Sequence, residues 1–194
     1  PVGTQLKRFK ISPEGSILCG YDESKKELLI VSLNSPPAYI QKKLSDPNLT
    51  GYFAFDGEDE LYAATTIPAI RRVDINEVVD ASFDSSPAGT INVLGEIVGL
   101  EHSKENSQLY YLNATNNSLD KVDLDYMQKV SEVARRVGLN PSCMQIFPDG
   151  KTAYILDQGT TKLYVVDLIP PNAVREVELK GAAAGCGCFV RYPR

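Results

Sequence analysis

A segment near the C-terminus constrains the fold of this 194-residue chain more than any other feature. Residues 144–168 read MQIFPDGKTAYILDQGTTKLYVVDL, in which three short apolar runs are separated by PDG and by DQGT. Proline presets φ, aspartate caps its own backbone and glycine accepts a positive φ, so both breaks are predicted to be turns. Each run is rich in strand-forming residues and too short for a helix. The segment therefore predicts strand, turn, strand, turn, strand.

Weaker copies of this segment occur three times upstream. Its closing tripeptide VDL has counterparts VSL, VDI and VDL, and the four copies end at residues 33, 75, 124 and 168. These positions are 42, 49 and 44 residues apart. A period of about 40–50 residues composed of short strands is typical of propeller blades. The chain is therefore predicted to be an all-β propeller.

The fourth copy, PDGKTAYILDQGTTKLYVVDL, resembles the YVTN-type β-propeller repeat. In that repeat a PDG turn precedes a Tyr-Val strand, and the unit closes on V-I-D-L. The resemblance covers nearly the whole chain, although only the fourth copy is a sharp match. It implies four-stranded antiparallel blades around a central channel. It does not imply one activity, because propellers serve both as binding modules and as enzymes.

The repeat divides the chain into about four blades of a single domain, which is either a small propeller or part of one. We place the blades at approximately 5–44, 50–97, 98–137 and 142–179, with a final inner strand at 187–192. That last strand aligns CFVRYP with CMQIFP at 143–148. An open arc would leave apolar faces uncovered at its two ends. We therefore expect self-association or pairing with missing propeller blades.

Two segments are ambiguous in their secondary structure. Val130, Val133, Ala134 and Val137 have the spacing of an amphipathic helix, whereas the repeat predicts an outer strand there, and we favour the strand. The residues at 76–80 can form one helical turn, with Asp74 as the N-cap. They are followed by a Ser- and Pro-rich loop.

Charge and hydropathy exclude some partners. The net charge is −5, with Lys and Arg mixed among the acidic residues, so no basic patch for nucleic acid is predicted. No apolar run approaches the ~20 residues that span a bilayer. The chain begins at Pro1 and not at Met, so it is either processed or trimmed. Of these, we favour a secreted or periplasmic protein after removal of an N-terminal segment.

The cysteines and the single histidine offer little chemistry. Cys19, Cys143, Cys186 and Cys188 are expected to be small buried residues in strands. A disulfide between Cys143 and Cys188 is the alternative, provided that their Cα atoms approach within ~7 Å, and a metal site is a third possibility. His102 is expected in a surface turn. A lone histidine disfavours a multi-histidine metal centre and a Ser-His-Asp triad.

Candidate functional residues lie in the loops at one rim. In a blade of this kind, the loop between the second and third strands and the crossover between blades share a rim. The ligand-rim candidates in these loops are Asp22, Glu23, Asn48, Asn113, Asn116, Asn140, Asp157 and Gln158, with Asp46, Thr65, Thr66 and Asp84 beside them. Clustered Asp and Asn oxygens can hold Ca²⁺, and they can equally cap turns.

Two functions remain open at this point. The first is a non-catalytic binding or scaffold propeller that recognises a protein or small-molecule ligand through this rim, and it needs no cofactor. The alternative is a lactonase-type hydrolase or lyase that uses a carboxylate-bound divalent cation such as Ca²⁺, since propeller lactonases that resemble this architecture use such rings. No metal site is firmly predicted.

Overall fold

The computed structural model describes residues 6–34, 41–57, 59–75, 89–126 and 128–180. Within these ranges, sixteen strands form four sheets, each with four antiparallel strands in chain order. The four sheets are arranged as the blades of a propeller, which confirms the predicted fold class. No helix in the described ranges is long and apolar enough to cross a membrane.

The strands divide evenly among the blades. Blade 1 contains β1 (Leu6–Ile11), β2 (Ile17–Asp22), β3 (Glu27–Ser32) and β4 (Gln41–Ser45). Blade 2 contains β5 (Leu49–Asp56), β6 (Glu60–Thr65), β7 (Ala69–Asp74) and β8 (Thr90–Asn92). Blade 3 contains β9 (Ile97–Ser103), β10 (Gln108–Asn113), β11 (Ser118–Asp123) and β12 (Gln128–Arg135). Blade 4 contains β13 (Pro141–Ile146), β14 (Thr152–Asp157), β15 (Lys162–Asp167) and β16 (Val174–Glu178).

The ambiguous segment of the third blade is a strand. β12 pairs along its length with β11, which confirms the strand that the repeat predicts. Helical spacing of valines did not prevail because the sheet hydrogen bonds of β11 would otherwise lack partners. The predicted helical turn at 76–80, the loop after it and the final strand at 187–192 lie outside the described residues.

The hydrophobic core lies between blades, in three clusters. Side chains alternate along each strand, so every blade has one face toward the blade before it and one toward the blade after it. On β6, Leu61 and Ala63 pack in the cluster with blade 1, whereas Tyr62 and Ala64 pack in the cluster with blade 3. A third cluster joins blades 3 and 4. Successive first strands β1, β5, β9 and β13 also contact one another in order.

His102 does not lie in a surface turn, so that prediction was wrong. It belongs to β9, opposite Leu109 of β10, and its side chain is only 7 % exposed. The register places it on the face of blade 3 that packs against blade 2. Its Nε2 lies 3.5 Å from Oδ1 of Asp56, at the end of β5. The strand continues to Ser103, and the turn follows it, because the apolar interface between the blades extends as far as His102.

The prediction that the cysteines are buried is confirmed for Cys19 and only in part for Cys143. Cys19 is fully buried in the cluster between blades 1 and 2, as predicted for a small apolar residue. Burial raises the pKa of its thiol far above the usual range. Cys143 is partly buried on β13. Because Cys186 and Cys188 lie outside the described residues, the disulfide between Cys143 and Cys188 stays a prediction.

Candidate functional site

The second strands of all four blades end in a polar residue at the same rim. These residues are Asp22, Thr65, Asn113 and Asp157, which terminate β2, β6, β10 and β14. All four are buried, although each lies beside an exposed loop. Buried polar groups at such positions must find hydrogen-bond partners, and in each case the nearby loop supplies them.

On blade 1, Asp22 closes its own hairpin. Its Oδ1 accepts hydrogen bonds from Ser24 Oγ at 2.6 Å, from Ser24 N at 3.0 Å and from Lys25 N at 3.3 Å. The hydroxyl of Ser24 is the main reason that the pKa of Asp22 lies below its usual range. Its neighbour Glu23 is exposed and pairs with Lys7. The carboxylates of blade 1 therefore have local partners.

On blade 3, Asn113 joins the hairpin to the preceding crossover. Its Oδ1 accepts hydrogen bonds from Thr115 N at 3.0 Å and Asn116 N at 3.2 Å. Its Nδ2 donates to the carbonyl of Leu94 at 2.7 Å. Asn116 takes part through its backbone, and its side chain is exposed. The amide of Asn113 is thus used on both sides to hold two loops together.

On blade 4, Asp157 has the same role with different chemistry. Its Oδ1 accepts a hydrogen bond from Asn140 N at 2.5 Å, across the crossover from blade 3. Thr160 Oγ1 donates to the carbonyl of Asp157 at 3.1 Å. The equivalent Thr65 on blade 2 donates through Oγ1 to the carbonyl of Ile67 at 2.5 Å and to that of Ala69 at 3.1 Å.

A repeated backbone hydrogen bond ties each crossover to the hairpin of the blade that follows it. Thr66 N donates to Asn48 O at 2.7 Å, Ala114 N to Glu96 O at 2.9 Å, and Gln158 N to Asn140 O at 2.8 Å. The bond brings Asn140 beside Asp157 and Gln158, and it brings Asn48 beside Thr66. It also places Glu96 at the position that Asn48 and Asn140 occupy in their blades. Sequence reasoning missed Glu96, although alignment of the crossovers by the repeat would have found it.

A cavity of about 400 Å³ opens at this rim between blades 2 and 3. It is lined by Thr50, Thr65, Thr66, Pro68, Gly95, Glu96 and Ile97. Of the sequence-predicted candidates, only Thr65 and Thr66 line it. Thr66 Oγ1 is 3.4 Å from Asn48 Oδ1, so Asn48 adjoins the same region. Asp22, Glu23, Asn113, Asn116, Asn140, Asp157 and Gln158 are not part of the cavity wall.

Charges of both signs lie near the cavity. Glu96 is exposed at its edge, and its backbone N–H is bound to Thr115 Oγ1 at 2.9 Å. Arg8 of β1 donates through Nη1 to the carbonyl of Thr50 at 2.8 Å and through Nη2 to the hydroxyl of Tyr52 at 3.0 Å. The guanidinium carbon also lies 4.0 Å from the centre of the Tyr52 ring. Arg8 is thus held by blade 2 through several contacts at once.

Of two further rim candidates, one has structural partners and the other lies outside the described residues. Asp46 is buried in the crossover from blade 1, where its Oδ1 accepts from Asn48 N at 2.7 Å and its Oδ2 is 3.2 Å from Arg71 Nη1. Asp84 falls outside the described residues. Within the described ranges, no group of three or more His, Cys, Asp or Glu side chains is placed to hold a metal ion.

Comparisons with known proteins support the fold. No protein-family model matches the chain, and no curated protein matches it. Among solved structures, it is similar to hydrazine synthase from Kuenenia stuttgartiensis, with a TM-score of 0.66 and 19% identity over 92% of this chain and 53% of that chain. A protein in the mitotic checkpoint complex gives a TM-score of 0.65 and 15% identity over 93% and 53% of the two chains.

A third similar structure is a protein from Bacteroides uniformis that is provisionally assigned as a 6-phosphogluconolactonase. It gives a TM-score of 0.65 and 14% identity over 91% of this chain and 55% of that chain. The chain therefore spans about half the length of the structures that it matches. At these identities the likeness shows the propeller fold alone, because one fold carries many activities.

Proposed function

We propose that this chain is a non-catalytic binding module, and that its rim cavity between blades 2 and 3 takes a positively charged, hydrogen-bond-donating group. The observation that supports the proposal is the chemistry of the cavity wall. Its polar side chains have committed their own protons to the protein, so they face the cavity as hydrogen-bond acceptors.

The hydroxyl groups of the wall show this commitment. Thr50 Oγ1 donates to the carbonyl of Ala64 at 3.1 Å, and the single proton of Thr65 Oγ1 is shared between the carbonyls of Ile67 and Ala69. Thr66 Oγ1 is directed toward Asn48 Oδ1. A hydroxyl has one proton and two acceptor lone pairs, so a hydroxyl whose proton is used can still accept. A ligand in the cavity would therefore supply the donors.

Glu96 adds a full negative charge to this set of acceptors. Charge-assisted hydrogen bonds to a carboxylate are stronger than neutral ones, and ammonium and guanidinium groups carry several donors each. Arg8 places a positive charge on the Thr50 side, so the incoming cation is expected to lie toward Glu96. The net charge of −5 would favour the approach of a basic partner. A Lys or Arg side chain of a partner protein fits these requirements.

The lactonase alternative has less support. A Ca²⁺ site needs six to eight oxygen ligands within ~2.3–2.6 Å of the ion. The carboxylates of Asp22 and Asp157 instead accept hydrogen bonds from loop N–H and hydroxyl groups. The presence of Asp and Asn in the loops of this rim is explained by their capping of turns.

We also retain the YVTN-type repeat as the proposed family. Its support is the PDG turn of blade 4, where Gly150 has a φ of 67° and its N–H donates to the carbonyl of Phe147 at 2.9 Å. The strands on either side, β13 and β14, pair as that repeat implies.

The experiment is a titration, followed by NMR, with a short end-blocked peptide that contains one lysine. We expect amide shifts at Thr65, Thr66 and Glu96, and we expect Glu96→Gln to weaken binding about two- to fivefold, as for an exposed charge pair. The matched control is Glu105→Gln, an exposed glutamate in the turn at the opposite rim. A peptide with glutamate in place of lysine is expected not to bind.

Two results would contradict the proposal. The first is unchanged affinity in Glu96→Gln, and the second is equal binding of the lysine and glutamate peptides. A separate calorimetric titration with Ca²⁺ addresses the alternative, because binding to the native state alone produces heat and raises the thermal midpoint. Both effects together would favour the lactonase type.

A further inference from the structure

The tip of the β6–β7 hairpin in blade 2 differs in chemistry from the equivalent tips of the other blades. The residue two positions after the end of the second strand is Ser24 in blade 1, Thr115 in blade 3 and Gly159 in blade 4. In blade 2 it is Ile67. Serine and threonine can cap a turn and glycine accepts a positive φ, whereas isoleucine offers neither. Because Ile67 is also 62% exposed, neither turn chemistry nor packing within the fold explains it.

The crossover from blade 2 to blade 3 carries a second aliphatic residue of this kind. Leu94 lies two positions before Glu96, where the other two crossovers have Asp46 and Gly138. Asp46 is buried and caps its own loop, whereas Leu94 is 78% exposed. The hydrogen bond from Asn113 Nδ2 to the carbonyl of Leu94 fixes the backbone at this point. The leucine side chain is therefore held at the rim without being buried there.

The two aliphatic residues lie on segments that are bonded to each other beside the cavity. The residue before Leu94 donates its N–H to the carbonyl of Pro68 at 3.1 Å. Thr66 and Pro68, the two neighbours of Ile67, line the cavity, and so does Gly95, which follows Leu94. Here Ile67, Pro68 and Leu94 are called the apolar rim patch. The patch adjoins the opening of the cavity between blades 2 and 3.

We infer that the partner of this rim is an extended polypeptide segment in which a lysine or arginine is flanked by large apolar residues. The basic side chain enters the cavity toward Glu96, and the apolar side chains pack on the apolar rim patch. Alternate residues of an extended segment point to the same side, so the apolar residues are those two positions before and after the basic one. This inference rests on the proposed function, because it extends the binding site that the cavity forms.

Charge and exposed apolar area together favour a polypeptide over a small free cation. A free amine can pair with Glu96 and with the threonine hydroxyls, but it leaves the apolar rim patch in water. Contact with apolar side chains removes that surface from water, which is favourable. A charged contact beside exposed apolar residues also matches protein interfaces, in which an apolar centre has a polar rim. The net charge of −5 favours the approach of a basic segment over that of an anionic surface.

The test compares two end-blocked peptides, each with one lysine in the middle. The first has leucine two positions before and two positions after the lysine, and the second has serine at both places. NMR titration of the wild-type chain gives both affinities, with amide shifts expected at Ile67 and Leu94 for the leucine peptide alone. We expect the leucine peptide to bind roughly tenfold more tightly, because its two apolar side chains partly leave water.

Two variants of the apolar rim patch identify the surface that recognises the leucines. Ile67→Ser introduces the residue that blade 1 has at this position, and Leu94→Ser shortens the exposed side chain of the crossover. Each variant should bind the leucine peptide roughly threefold more weakly and the serine peptide as tightly as wild type. The matched control is Ile169→Ser, at a residue 53% exposed in the β15–β16 turn at the opposite rim, which should change neither affinity. Circular dichroism of each variant establishes that it is folded.

The outcomes separate this inference from the proposed function. Equal binding of the two peptides, with Glu96→Gln still weakening both, would overturn the inference and leave the cavity as a site for a basic group. Preference for the leucine peptide that persists in both Ile67→Ser and Leu94→Ser would overturn it as well, because the leucines would then contact another surface. Failure of either peptide to bind the folded wild-type chain would overturn the proposed function together with the inference.

Discussion

The hydroxyl of Tyr21 on blade 1 donates a hydrogen bond of 2.8 Å to the carbonyl of Leu49 on blade 2. The ring of Tyr21 lies against Gly51, where a Cβ would fall 2.2 Å from Tyr21 Cδ1. Gly51 has a φ of 79°, and it lies in the irregular part of β5 between Leu49 and Phe53. One aromatic residue therefore fixes the position of the next inner strand.

Tyr21→Phe is expected to lower the free energy of unfolding by about 1–3 kcal/mol, because the buried carbonyl of Leu49 would lose its donor. Urea denaturation measures this change, and the slope of the unfolding free energy against urea concentration should stay the same. Tyr126→Phe is the control, since Tyr126 is 75% exposed. An equal effect in both variants would mean that the contact between Tyr21 and Leu49 adds nothing to stability.

Gly150→Ala is expected to be more destabilising than Gly159→Ala. Both glycines have positive φ, 67° and 79°, so both variants carry a backbone cost. A Cβ at Gly150 would lie 2.8 Å from Ser103 Oγ and 2.8 Å from Glu105 Cβ, whereas nothing lies within 4 Å at Gly159. The difference in unfolding free energy should be about 1–3 kcal/mol. Thermal or urea unfolding of the two variants measures this difference. Equal losses of unfolding free energy would contradict the packing of this turn against blade 3.

His102 is expected to make the fold less stable as the pH falls below about 6.5, the pKa of an unfolded histidine. Burial lowers the pKa of His102 in the folded protein, and the charge of Asp56 opposes that shift. Between the two pKa values the unfolded chain binds more protons, so acid favours unfolding. His102→Phe should reduce this pH dependence. An unfolding free energy with the same dependence on pH in the variant would contradict it.

The same histidine offers a direct measurement. It is the only histidine in the chain, so its imidazole gives a single titrating NMR signal. We expect a midpoint below about 6.5. Asp56→Asn should lower the midpoint further, because it removes the charge that favours the imidazolium form. A midpoint that is unchanged in Asp56→Asn would show that the contact does not exist in solution.

Asp157→Ala is expected to cost about 1–3 kcal/mol of unfolding free energy, because the N–H of Asn140 would be left without its acceptor. Asp157→Asn retains an acceptor oxygen and should cost less. Denaturation of the two variants distinguishes a carboxylate that caps a loop from one that is kept to bind a cation. If Asp157 were kept for a cation, the protein without the cation would become more stable when the charge is removed. A more stable Asp157→Asn protein would contradict the capping assignment.

The local chemistry of the chain was sufficient to predict much of the fold. The PDG turn, the runs of strand-forming residues and the period of the VDL tripeptide are short-range signals, so four antiparallel blades could be inferred without coordinates. The outer strand β12 followed from the same period, against the helical spacing of its valines. The blade pattern also led us to expect Asp22, Asn113 and Asp157 in loops at one rim.

Tertiary structure decided the contacts that join separate blades and loops, such as Asp157 with Asn140, because these residues are not neighbours in the chain. Packing of blade 3 on blade 2 buries His102 against Asp56 and places Glu96 beside Thr50 and Thr65. Neither pair is adjacent in sequence, and periodicity carries no information about which atom of Asp157 accepts which N–H. The sequence by itself determined the strands, turns and repeat, since these depend on neighbouring residues. The cavity depends on how whole blades stack, so only the assembled fold defines it.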